Sequence, residues 1–253
     1  MPLPAADDSI RLSRRVSEIA GCSRREAELY IEGGWVRVDG AVVTVPGARV
    51  PPRAAVVLAE GARAEPLPPV TLLLHKPAGF EAWEDADAGR QPARRLLVPE
   101  RLQPGDRSGI RPVPKHFEQA CLTPLEPAAT GLVVFSQDRR IARKLLEDAA
   151  LVEHELIVDV AGAVSPEVLD RLNRPPVIDG RAMHPSRVSI SRQNDAATGL
   201  RFASKGHWPG RIAQMCAGAG LSLRGMHRIR VGRLTLAGLE PGQWRYLLPY
   251  ERV

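Results

Sequence analysis

The run Gly131-Leu132-Val133-Val134-Phe135 constrains this chain more than any other stretch. Four apolar residues in succession put Leu132 and Val134 on one side of a pleat and Val133 and Phe135 on the other. A strand that is apolar on both sides belongs inside a sheet covered on both faces. Gly131 supplies the tight turn at its start. Just before it, Leu125-Glu126-Pro127-Ala128-Ala129-Thr130 is a loop whose one ionisable group is Glu126. On spacing alone Glu126 reads as a loop glutamate facing water. Fixed at the mouth of a buried strand, it is also well placed for chemistry, because partial burial tunes a carboxylate's acidity.

A chain of 253 residues suits one large domain, or a medium domain with a small one. The formal net charge of +6 favours a polyanionic partner. The excess is local. Between Ala196 and Leu239 there is no Asp or Glu, while Arg201, Lys205, Arg211, Arg224, Arg228, Arg230 and Arg233 supply seven positive charges. Cys22, Cys121 and Cys216 are isolated, which excludes a paired zinc spacing and fits free thiols in a reducing compartment. Met-Pro-Leu-Pro-Ala-Ala-Asp-Asp at the start forms no apolar h-region, so no leader is expected, and no stretch approaches the roughly 18 apolar residues of a membrane span. A cytoplasmic protein with no membrane partner is expected.

Taken in order, Leu12, Val16 and Ile19 recur at helical spacing behind Asp8 or Ser9 as a cap, with Gly21 as the stop. Ser23-Arg24-Arg25-Glu26 has the form of a capping box, opening a second helix that turns Ala27, Tyr30 and Ile31 inward. Asp39-Gly40 joins strands at Trp35–Val38 and Ala41–Val45 as a hairpin, and Val56–Leu58 closes the unit. Glu60–Pro69 is a polar, proline-rich linker. A strand at Val70–Leu74 and the turn His75-Lys76-Pro77-Ala78-Gly79-Phe80 follow. Glu81–Lys115 is aperiodic apart from a short basic helix at Arg90–Leu97; a long loop of this kind often covers substrate. Asp138–Ala150 reads as a helix with Ile141, Leu145 and Leu146 inward, and Arg139, Arg140, Arg143 and Lys144 outward. A strand at Val152–Val160, a helix from Ser165-Pro166 to Leu172, and strands at Val177–Ile178, Ser186–Ile190 and Gly199–Ala203 come next. Asp179 and Asp195 are further carboxylates, each in turn chemistry. A helix spans Arg211–Ala217.

Arg11-Leu12-Ser13-Arg14, Ser23-Arg24-Arg25-Glu26-Ala27 and Gly34-Trp35-Val36-Arg37-Val38-Asp39-Gly40 together resemble the S4 RNA-binding domain. That resemblance places Arg11, Arg14, Arg15, Arg24 and Arg25 against phosphates, with the helix N-terminus at Ser23 open to an anion. The loop at Leu125–Phe135, the turn Lys76-Pro77-Ala78-Gly79, the helical Ile212, Met215 and Cys216, and the tail segments Leu223–Gly232 and Gly238–Leu247 resemble the pseudouridine synthases of the RsuA, RluB and RluF type. The resemblance implies an α+β chain. A small S4 domain at 9–59 and a linker at 60–69 precede a catalytic-type domain at 70–253, built on a mixed, mainly antiparallel central sheet flanked by helices. It also implies a monomer that isomerises uridine in structured RNA, ribosomal RNA in particular, with no cofactor and no metal.

By this match Glu126 takes the position of the family's catalytic Asp, Pro124 that of a loop Arg, and Ala129 that of a Thr. Leu156 replaces the Tyr that stacks on the target base, His154 a Lys, and His75 an Asn. The paired arginines of the family's helix become Ala213 and Gln214, which leaves two outcomes for Arg211: it brings a cation to Glu126 from one turn earlier, or it does not reach. Arg201, Lys205, Arg224, Arg228 and Arg230 are expected to hold RNA, as is Lys76, for which support of the active-site cleft is the other reading. Leucine supplies only part of the roughly 1–3 kcal/mol that an aromatic face gives a stacked base, and glutamate carries its charge one methylene farther than aspartate. Two functions fit. One is an RNA-binding homologue with weakened or lost isomerisation, serving ribosome assembly; the other is an active rRNA pseudouridine synthase using Glu126.

Overall fold

The computed structural model describes residues 8–83, 89–178, 180–206, 210–236 and 238–253, so Asp179 lies outside the described residues. Two compact units emerge: Met1–Pro69 with Arg111–Glu118, and Val70–Ile110 with Gln119–Val253.

In the first unit, β1 (Ile10–Arg11), α1 (Leu12–Ala20) and α2 (Arg24–Glu32) precede β2 (Val36–Val38), β3 (Ala41–Val42), β4 (Arg49–Val50) and β5 (Val56–Leu58). Leu12, Val16, Ala27, Ile31, Val36 and Val50 form its core. The Asp39-Gly40 turn has φ of 49° and 84°, the left-handed pair that a two-residue hairpin requires. The capping box is complete: Ser23 Oγ accepts the Glu26 N–H at 3.2 Å, and the Glu26 carboxylate accepts the Ser23 N–H at 2.9 Å. The helix end expected to receive an anion is therefore filled by the chain's own glutamate. Helix α1 starts from Arg11, with no side-chain cap from Asp8 or Ser9, because Ile10–Arg11 pairs with Arg49–Val50. Ile19, expected inward, is exposed.

Part of the aperiodic segment belongs to this unit as well. The Arg111 guanidinium lies 3.9 Å from the centre of the Trp35 ring and donates to the Gly33 carbonyl. Lys115 Nζ stands 3.5 Å from the Glu32 carboxylate.

The second unit contains β6 (Thr71–Lys76), β7 (Phe80–Glu81), β8 (Gln91–Pro92), β9 (Ala120–Cys121), β10 (Thr130–Ser136), α3 (Arg139–Leu146), β11 (Glu153–Ala161) and α4 (Pro166–Asn173). It continues with β12 (Val177–Ile178), β13 (Arg181–Ala182), β14 (Arg187–Gln193), β15 (Ala197–Lys205), α5 (Arg211–Gly218), β16 (Leu223–Val231), β17 (Leu234–Thr235) and β18 (Trp244–Tyr246). The central sheet runs β14-β15-β11-β16-β10-β6-β18, with β9 and β17 paired to β10 and β16. Its ladders are antiparallel except for a short parallel contact of β10 with β16. This is the expected mixed, mainly antiparallel sheet. Strand β10 is buried from Gly131 to Ser136, as its apolar run requires. Leu132 and Val134 pack with Leu73, Leu145 and Leu234, while Leu156, Val158, Phe202, Met215 and Met226 form a second cluster.

Three local expectations shift. Arg90–Leu97, expected as one helix, instead holds β8 and a 3-10 turn at Ala93–Leu96. Strand β3 stops at Val42. Leu146 is 58% exposed, because α3 ends there and turns Leu145 and Ile141 to the core. Among the described residues, no helix is long and apolar enough to cross a membrane.

Candidate active site

The loop that carries Glu126 is pinned on both sides. Leu125 and Ala129 are buried in the cluster with Leu156 and Met226, so Glu126 stands between two anchored neighbours. Gly131 lets β10 approach β16 closely. Its φ is 118°, and a Cβ there would stand 2.5 Å from the backbone nitrogen of Arg228. That approach puts Arg228 beneath the loop. Its Nε donates to the Leu132 carbonyl at 2.7 Å, its Nη1 to the Pro124 carbonyl at 3.3 Å, and its Nη2 to the Thr123 carbonyl. Burial pushes the Arg228 pKa down to about 10, with nearby Cys121 and Glu126 opposing the change.

Lys76 grips the loop from the other side. Its Nζ donates to the carbonyls of Phe80 at 2.9 Å, Pro77 at 3.1 Å and Pro127 at 3.2 Å, and the Gly79 N–H donates to the same Pro127 oxygen at 2.8 Å. Burial lowers the Lys76 pKa to about 8, against the pull of Glu81 and Glu126. Lys76 and Arg228 were expected to hold RNA. Both are buried and spend their donors on loop carbonyls, so neither reaches an external phosphate.

A cavity of about 40 Å3 opens beside the loop, lined among others by Glu126, Leu156, Ser204, Arg211, Met226 and Arg228. The three residues expected to form the site, Glu126, Leu156 and Arg211, thus come together. Glu126 Oε1 accepts the backbone N–H of Gly210 at 2.7 Å. Gly210, in the left-handed region, is the N-cap of α5, so the carboxylate sits at the positive end of that helix. Arg211 follows the second of its two outcomes. No ion pair joins it to Glu126. Its Nη2 instead donates to the His184 carbonyl and lies 3.4 Å from Ser186 Oγ, while its buried Nε has no hydrogen-bond partner among the described residues.

The other cations separate into paired and unpaired groups. Arg201 and Arg230 both bind the buried carboxylate of Glu155, and Arg230 also binds Glu153. Their charge, read as an RNA signal, is largely met by β11. Lys205 and Arg224 are exposed without ion pairs among the described residues. In the first unit, Arg11, Arg14, Arg24 and Arg49 line a groove of about 400 Å3 that also contains Glu18. Arg14 pairs with Glu18 at 3.0 Å, and Arg24 and Arg25 each stand 3.6 Å from Glu28; Arg15 is half-buried. Asp195 is exposed, and the turn around it is held by Asn194, whose side chain accepts from Ala196 and Ala197.

Sequence reasoning missed the Gly210 N–H, Ser204 and Met226 as parts of the site. Only Gly210 left a trace, as a glycine directly before a helix, where it can serve as N-cap. Among the described residues, no three His, Cys, Asp or Glu gather to hold a metal ion. One carboxylate held at a helix end, next to the apolar faces of Leu156 and Met226, can support positive charge that develops on a group brought beside it; at about 40 Å3 the cavity is smaller than a base.

No family model matches the chain. An uncharacterised RNA pseudouridine synthase of Mycobacterium tuberculosis is 31% identical over 246 residues, covering 94% of this chain and 89% of that protein. The dual-specificity RNA pseudouridine synthase RluF of Escherichia coli is 26% identical over 252 residues, covering 98% of this chain and 78% of that protein. A crystal structure of a pseudouridylate synthase shares the fold, with a TM-score of 0.54 at 19% identity over 94% of this chain and 96% of the other. The chain belongs to the RNA pseudouridine synthases, within the group typified by RsuA and RluF.

Proposed function

We propose that this protein is an active pseudouridine synthase acting on structured ribosomal RNA, with Glu126 as its catalytic carboxylate. The placement of that carboxylate carries the reading: it lines the cavity beside Leu156 and Arg228 and is held by the Gly210 N–H. The relatives that share its length are synthases by name, which favours activity over binding alone. The exposed arginines of the first unit support its assignment as an S4-type RNA-binding domain. A monomer working in the cytoplasm fits the reading.

The target uridine first leaves its stack, at a cost of a few kcal/mol. Leu156 and Met226 then offer the base an apolar seat, and side chains that narrow the cavity move aside. The bond from N1 to C1′ breaks and one from C5 to C1′ forms; C5 gives up its proton and N1 gains one. Atoms and charge balance without a co-reactant. Glu126, beside the sugar, supports the charge that develops as the glycosidic bond opens. Lys76 and Arg228 act by fixing the loop's carbonyls, so the carboxylate keeps its place.

One observation favours a second reading. Arg211 is committed to His184 and Ser186 rather than to Glu126, which is what a chain that had lost isomerisation and bound RNA for ribosome assembly would tolerate. Mapping pseudouridine in rRNA from cells with and without the gene separates the two. Loss of at least one modified position is expected; identical maps would leave the binding-only reading.

A further inference from the structure

Helix α5 serves two hollows. Arg211 and Ile212 face the catalytic cavity, while Gln214, Met215 and Gly218 line a second hollow of about 290 Å3. At about 1.5 Å per residue, Ile212 of the first and Gln214 of the second stand roughly 3 Å apart along the helix axis. The proposed mechanism does not use the second one.

Its walls are built and held. Leu172, Met215 and Ala219 form a buried apolar floor, and Pro175, Pro176 and the exposed Val177 form one side. The Asn173 side chain fixes the end of α4 to β14, donating to the Val188 carbonyl and accepting the Val188 N–H, both at 2.9 Å. The Met183 N–H closes the neighbouring segment onto the Pro176 carbonyl at 2.9 Å.

The rim carries Arg171, Arg174 and Gln214. Arg14, Arg24, Arg25, Arg201 and Arg230 all face carboxylates. Arg171 and Arg174 are exposed and pair with none among the described residues. Glu167 and Asp170, the acids of α4, do not line the hollow. Two guanidiniums that make no ion pair among the described residues, above an apolar floor, suit a ligand with an anionic edge and a flat apolar face. A nucleotide has both: arginine binds its phosphates, the floor takes the base, and Gln214 can donate to and accept from the base edge. The volume lies at the small end for ligand sites, which suits a single base.

We propose that this hollow is a substrate-recognition subsite that binds one extruded nucleotide flanking the target uridine. The inference rests on the reading of the chain as an RNA-modifying enzyme, since one strand must pass both hollows.

Met226 lines the catalytic cavity and Met215 the subsite; because both belong to one apolar cluster, the Met215 shift is assigned to the subsite by its loss in the rim variant. The full chain carrying 13C-methyl methionine is titrated with a uridine pentaribonucleotide and, separately, with a hexapeptide of alternating Glu and Leu. The RNA is expected to shift both signals and the peptide neither. In the Arg171→Ala/Arg174→Ala double variant the Met226 shift persists and most of the Met215 shift is lost. RNA binding weakens roughly tenfold, and the slope of log K against log salt falls by about 1.4, as expected for two lost contacts to single-stranded phosphates. A Met226 shift with Met215 unmoved overturns the subsite, as does a Met215 response to the acidic peptide and not to RNA. A Met215 shift with Met226 unmoved upholds nucleotide binding here and counts against the synthase reading instead.

Discussion

The Glu126 carboxylate accepts the backbone N–H of Gly210 at 2.7 Å, tying the loop before β10 to the first turn of α5. One side chain therefore serves both the proposed chemistry and the end of a helix. Glu126→Ala removes the cap and should destabilise the second unit by about 1 kcal/mol, the usual value of such a contact. Glu126→Gln keeps an acceptor oxygen and should lose less. Thermal unfolding of the two variants beside the wild type measures the difference.

Gly131 has no tolerable substitute. At φ 118° with Arg228 directly beneath it, Gly131→Ala combines backbone strain with a clash against main-chain atoms that cannot swing away. A loss of about 2–4 kcal/mol is expected, read as a lower denaturant midpoint for the second unit.

The Lys76 clamp makes stability depend on pH in a known direction. The unfolded chain keeps the lysine proton up to about 10.5, whereas burial makes the folded chain release it near 8. Between those values the unfolded state binds more protons, so the lysine's contribution to stability rises with pH. Urea unfolding at pH 7.5 and pH 10 should show this rise, on the order of 2 kcal/mol, and Lys76→Met should abolish it.

The segment Arg111–Glu118 is part of the first unit's fold, although it lies far along the chain. Arg111→Ala removes the guanidinium from the Trp35 face and from the Gly33 carbonyl. About 1 kcal/mol of that unit's stability should go with it. A fragment ending at residue 69 should melt below the same unit in the full chain, as followed by Trp35 fluorescence with Trp83, Trp208 and Trp244 of the full chain replaced by Phe.

Features encoded within a few residues were legible in the sequence. The Ser23–Glu26 capping box, the Asp39-Gly40 turn and the doubly buried β10 each follow from local stereochemistry or from an apolar run. The family match carried Glu126 and Leu156 to one cavity. The sequence did not reveal which cations are free. Arg228 faces inward because it shares a pleat side with Met226, and its carbonyl partners Thr123 and Pro124 lie more than a hundred residues away. The acid-free stretch after Ala196 looks strongly cationic along the chain, yet sheet pairing sets Glu155 of β11 against Arg201 and Arg230. Charge patterning along a sequence cannot show neutralisation by a neighbouring strand. For the same reason, the grip of Arg111 on Trp35 could not be read from a segment without periodicity.

The most direct test follows the hydrogen that isomerisation removes from C5 of uridine. Ribosomal RNA labelled with tritium at C5 is prepared from cells lacking the gene and incubated with purified wild-type protein or with Glu126→Gln. Release of tritium to water by the wild type, with at least a hundredfold slower release by the variant, is expected if this carboxylate does the chemistry. No release by the wild type, or equal release by both proteins, would contradict it.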